Sequence, residues 1–196
     1  MTREAKHRRT TKETEIDLSI DVDGSGQVEV STGLPFFDHM IAQLGKHSRF
    51  DLTVRCEGDI DIDAHHTVED VGIALGEAFA EALGDKKGVR RFASMTVPLD
   101  EAAVEVVLDL SGRPFLHYDI DPPGEKILGA PPFDPQLCEE FWRAFVMAAG
   151  ITLHLVLIRG RNTHHIIEAS FKAAARALYD AVVVADEVLP STKGVL

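Results

Sequence analysis

Apolar and polar residues alternate along residues 16–22 (IDLSIDV), 27–31 (QVEVS) and 102–110 (AAVEVVLDL). A period of two belongs to strands with one buried face. Glycine-bearing turns adjoin them, DGSG at 23–26 and SGRP at 111–114. The pattern predicts a hairpin at the head of each half of the chain, with the first closing on DGSG. Elsewhere the period lengthens. In PFFDHMIAQLGKH, residues 35–47, Phe36, Met40, Ile41 and Leu44 recur at helical spacing, and DPQLCEEFWRAFVMAAG at 134–150 reads as another helix. Two further alanine-rich helices open on AHHTVED at 64–70 and THHIIEA at 163–169, with Asp63 and Asn162 as candidate caps.

These signals come twice in the same order. An offset of 99 residues lays His65 over His164, LTV at 52–54 over ITL at 151–153, Ala78 over Ala177 and Ala82 over Ala181. Upstream, DGSG pairs with DLSG at 109–112 at an offset of 86, and the Pro/Gly-rich loop 121–135 holds most of the difference. The repeat predicts an α+β fold of two duplicated halves, 1–93 and 94–196, with sheets covering a layer of helices.

Residues four apart on a helix share a face. His164, Glu168 and Lys172 therefore form a polar stripe, separate from the apolar stripe of Ile167, Phe171, Leu178 and Val182. His65 and Glu69 repeat it, with Ile73 where Lys172 stands, and His39, Gln43 and His47 form a third polar row. Adjacent histidines diverge by roughly 100°, so His65 and His66, like His164 and His165, suit two different ions better than one. A single His pair at a helix start is ordinarily a solvated cap, but two His-His-x-x-Glu sets with His39 point to metal ligation. Nitrogen and carboxylate donors suit manganese, iron, zinc or nickel. His7, His117 and His154 have no such partners and read as structural.

Composition narrows the class. A chain of 196 residues that is 45% hydrophobic can bury a core. Its net charge of -12 argues against nucleic acid despite the basic KHRR at 6–9, and no apolar run is long enough to span a bilayer. Cys56 and Cys138 are isolated, so neither a disulfide framework nor a thiolate zinc site is expected. A cytoplasmic location is the expectation.

RRTTKETEI near the start, LPFFDHM at 34–40, AHHTVED, PLDEA at 98–102, DLSGRP at 109–114, THHIIEASFKA at 163–173 and PSTKG at 190–194 together resemble the imidazoleglycerol-phosphate dehydratase family over nearly the whole chain. The resemblance implies helices sandwiched between mixed β-sheets, in the ribosomal protein S5 domain 2-like manner. It implies two manganese ions per active site, and a homo-oligomer of 24 subunits with sites at subunit interfaces. Carried over by position, the metal ligands are His39, His65, His66, Glu69, His164, His165 and Glu168. Glu140, in CEEFW, stands where many members carry a histidine, and is included as an oxygen ligand. Glu13, His47 and Glu168 are the acid/base candidates. Gln43, Arg91, Arg113, Lys172, Ser191 and Lys193 join Glu13 and His47 as substrate-binding candidates, the cations and the tail serving the phosphate.

The implied reaction converts a phosphorylated imidazole diol into a ketone without a redox cofactor. Two other readings use the same residues: a two-metal phosphohydrolase, and a non-catalytic assembly protein clipped by metal.

Overall fold

A computed structural model describes residues 3–123 and 127–194. The first half contains β1 (Glu4–Thr10), β2 (Thr14–Asp21), β3 (Val28–Ser31), α1 (Pro35–Ser48), β4 (Asp51–Gly58) and α2 (His65–Leu83). The second contains β5 (Phe92–Leu99), β6 (Ala102–Asp109), β7 (Phe115–Asp119), α3 (Leu137–Ala149), β8 (Thr152–Arg159) and α4 (Thr163–Ala181). Each half builds a mixed four-stranded sheet of the same topology, ordered β1-β2-β4-β3 and β5-β6-β8-β7. Part of the loop at 121–135 lies outside the described residues.

The strand neighbours differ from the hairpin expectation. β2 and β3, on either side of DGSG, do not pair; β4 enters between them, antiparallel to β2 and parallel to β3. β8 separates β6 from β7 in the same way. The hairpins are β1–β2, turning at residues 11–13, and β5–β6, turning at Asp100 and Glu101. Alternation determines which face a strand buries and is silent on which strand lies beside it. DGSG serves instead as a crossover tied to the start of β4, where Asp51 accepts hydrogen bonds from Ser25 N and Gln27 N, both at 2.8 Å.

The helices lie between the sheets. α2 covers the first sheet and α4 the second, while α2 packs on α3 and α1 on α4 across the halves. Phe37, Phe79, Phe141, Trp142, Phe145 and Phe171 are fully buried in this middle layer. Contact between α2 and α3 depends on glycine: a Cβ on Gly76 would meet the Phe145 carbonyl oxygen at 2.6 Å and Ala148 Cβ at 2.7 Å. Backbone cannot yield there as a side-chain tip would. Gly76→Ala is expected to destabilise the fold by about 1–3 kcal/mol, read as a lower denaturant midpoint in equilibrium unfolding.

Candidate metal and substrate site

Asn162 caps α4, its side chain accepting from His164 N and His165 N. Asp63 does less than expected. The residue before α2 is Ala64, without a side-chain cap, although Asp63 Oδ1 accepts from His65 N at 2.7 Å. Either way both His pairs start a helix, and their rings diverge as the spacing requires. The planes meet at 83° for His65 and His66 and at 82° for His164 and His165.

Packing of α1 on α4 carries His39 to the second pair. Glu168 Oε2 lies 3.0 Å from His164 Nε2 and 3.2 Å from His39 Nε2, while Lys172 Nζ holds its other oxygen at 2.5 Å. Burial of Glu168 raises its pKa, but Lys172, His39 and His164 outweigh this and bring it to about 2. The donor atoms of His39, His164 and Glu168 all lie within 4.8 Å of one another, forming the one group of at least three metal-ligating side chains found among the described residues. Two imidazole nitrogens and an ionised carboxylate oxygen are a donor set suited to a divalent transition metal. The row on α1 is also present: Gln43 joins its neighbours, 3.4 Å from His39 Nδ1 and 3.1 Å from His47 Nε2. Burial, then Lys172 and Arg176, lower the pKa of His47 and favour its neutral form.

The remaining ligand candidates are not gathered in this way. His65 Nε2 is 3.7 Å from Glu69 Oε2. Glu140 lines a cleft of about 660 Å³ with His65 and a shallower hollow with Glu69, and its nearest ion-pair partner is Arg143 at 4.0 Å. His66 and His165 each use Nδ1 internally. Asp59 accepts from His66 at 3.0 Å and Glu101 from His165 at 2.8 Å, which leaves each Nε2 available. The hydrogen bond to Asp59 raises the pKa of His66. Glu101 is lowered to about 2 by His165 and by the backbone N–H groups of Asn162 and Arg161.

These orienting carboxylates were missed in the sequence. Glu101 sits in PLDEA, and Asp59 precedes His66 by seven residues with no helical relation to it. Asp70 was missed too. Buried on α2, it holds the turn that carries Glu13, accepting from Thr14 Oγ1 at 2.5 Å and from Arg9 at 2.9 Å. That turn places Glu13 Oε1 3.7 Å from His66 Nε2.

Of the candidate phosphate groups, Arg91 is already engaged. It donates to both oxygens of Asp109 at 2.7 and 3.1 Å and to the Pro190 carbonyl at 2.6 Å, tethering the segment that carries Ser191 and Lys193. Arg113 is largely exposed, and Lys172 serves Glu168. Of the histidines read as structural, His7 pairs with Glu77 at 2.8 Å, and the rings of His117 and His154 are neighbours at 5.5 Å.

The depressed carboxyls make a signed prediction for metal-free protein. A carboxyl whose folded pKa lies below its unfolded value contributes stability that is complete above about pH 4.5 and lost as pH falls towards about 2. Denaturant midpoints of metal-free protein should therefore fall through that window, and less steeply for Glu101→Gln.

Fold and site together define a class: a duplicated α+β enzyme that collects imidazole and carboxylate groups at the starts of its buried helices. Residues 32–178 match the family model for imidazoleglycerol-phosphate dehydratase. The dehydratase of Acidothermus cellulolyticus is 54% identical over 196 residues, covering 99% of this chain and 93% of that relative; the one from Gluconacetobacter diazotrophicus is also 54% identical, at 99% and 98% coverage. The crystal structure of the Staphylococcus aureus dehydratase aligns with a TM-score of 0.82 at 40% identity, covering 92% of this chain and 99% of that one. The chain belongs to the imidazoleglycerol-phosphate dehydratase family, hydro-lyases of histidine biosynthesis. No helix among the described residues is long and apolar enough to cross a membrane.

Proposed function

We propose that this chain converts imidazole glycerol phosphate to imidazole acetol phosphate in the cytoplasm, using two manganese ions per active site. The observation that supports this best is the convergence of His39, His164 and Glu168 from two helices, beside a neutral His47. His39, His164 and Glu168 would hold one ion; His65, Glu69 and Glu140 would contribute to the second; His66 and His165 each offer a free Nε2. When bound, such ions supply Lewis acidity that favours loss of the ring N–H proton.

The chain's own groups bind, orient and carry protons. For His39 to present a lone pair at Nε2, its proton must sit on Nδ1, which requires the Gln43 oxygen as acceptor. The Gln43 amide nitrogen then donates to His47 Nε2, making that nitrogen an acceptor and placing the His47 proton on Nδ1. Glu168, ionised and fixed by Lys172, acts as a constant negative charge at neutral pH. That leaves Glu13 and His47 to move the protons at the ring and chain carbons as the hydroxyl departs, the double bond forms and the enol becomes a ketone.

Assembly belongs to the same proposal. The chain gathers one set of ligands and leaves the others apart, so subunits of a homo-oligomer of 24 would complete each site at their interfaces. Phe92 and Phe115, 60% and 54% exposed on the second sheet, are apolar surface that such contacts would cover.

Incubating the metal-replete protein with the phosphorylated imidazole diol tests the reaction. A ketone that retains its phosphate supports dehydration, and release of inorganic phosphate would replace it with two-metal phosphohydrolysis. Ser191, Lys193, Arg113 and Arg91 are assigned to the phosphate. Removing residues 191–196 is expected to raise KM about tenfold by deleting charge-assisted donors, with a smaller change in kcat. Unchanged steady-state constants would take the tail out of the site.

A further inference from the structure

The two hairpin turns occupy corresponding places, each beside the second histidine of its own half. In the first half the turn between β1 and β2 carries Glu13, whose Oε1 is 3.7 Å from His66 Nε2. In the second the turn between β5 and β6 carries Asp100, whose Oδ2 is 3.8 Å from His165 Nε2. In both halves the other ring nitrogen is occupied, by Asp59 and by Glu101. Nε2 is therefore the nitrogen left to face the site, and Glu13 and Asp100 stand beside it in matching positions. Sequence spacing hides the match, because the two turns lie at different distances from their His pairs.

Asp100 also adopts a left-handed backbone, with φ of 48°. A two-residue hairpin turn demands such a conformation, and glycine meets it without strain. A side chain kept there, 76% exposed, is the pattern of a group retained for contact and not for folding.

We infer that Asp100 is a substrate-facing carboxylate, the second-half counterpart of Glu13, and that it accepts a hydrogen bond from a hydroxyl of the substrate's diol chain. The inference rests on the dehydratase reading. A diol offers two adjacent hydroxyl donors, and the two halves offer one carboxylate each.

The test compares Asp100→Gly and Asp100→Asn with the unsubstituted holoenzyme. Glycine removes the carboxylate and relieves the backbone; asparagine keeps the shape and removes the charge. For the glycine variant, kcat/KM should fall about 10- to 100-fold, the range of one charge-assisted hydrogen bond, with asparagine between it and the parent. Manganese content, melting temperature and the inhibition constant of imidazole alone, which lacks the hydroxyls, should not fall or weaken. A kcat/KM within twofold of the parent overturns the inference. So does a parallel loss of manganese or of imidazole binding, which would assign Asp100 to the support of His165. An unsubstituted enzyme that forms no ketone removes the dehydratase reading and this inference with it; an active enzyme indifferent to both substitutions removes the inference alone.

Discussion

Glu168→Gln is expected to lower kcat/KM about a thousandfold and to reduce the manganese bound per chain by one equivalent. The carboxylate is the common partner of His39, His164 and Lys172. An amide keeps its shape but presents an oxygen without a full charge, and its nitrogen would point at one of three groups that need an acceptor. The ion would lose its anionic ligand, and Lys172 its counter-charge. Loss of Lewis acidity removes several kcal/mol of charge stabilisation, which sets the thousandfold scale. Metal analysis alongside steady-state kinetics, with circular dichroism as a control for folding, checks it. Unaltered manganese content would show that Glu168 is not a ligand. Dialysis against a chelator should produce the same loss in the parent enzyme, with recovery on adding manganese; the variant should not recover.

Glu101→Ala should weaken manganese binding about 10- to 100-fold while touching no metal itself. Glu101 accepts from His165 Nδ1 and from the backbone of Arg161 and Asn162 just before α4. Removing it frees the imidazole to rotate and to place its proton on either nitrogen, and outer partners of this kind are worth that range of affinity. Titration of manganese into metal-stripped protein measures the effect. A matching affinity in parent and variant would show that packing alone orients His165. Asp59→Ala is the parallel case for His66, without the backbone interactions.

How much was legible can be judged residue by residue. The stripe of His164, Glu168 and Lys172 was readable because four residues on a helix bring a side chain back to one face, and the observed contacts join those groups. The divergence within each His pair was readable for the same reason. Glu168 bonding His39, 129 residues away, was not, because no local period relates α1 to α4. Asp59, Asp70, Asp100 and Glu101 are loop, helix or turn acids whose partners depend on which hairpin turn lies over which helix start. The strands were found and their order was not: an alternating segment reports a buried face, and β4 and β8 enter their sheets from later in the chain.

The chain by itself thus determined the duplication, the types of element, the polar rows on the helices and the resemblance that named the family, since each is a matter of short-range period or of residue identity. Tertiary structure alone decided the order of the strands, the joining of His39 to the pair on α4 and the carboxylates that aim His66 and His165. Those depend on long-range packing between surfaces, where close approach, as at Gly76, selects one arrangement from many that the local pattern permits.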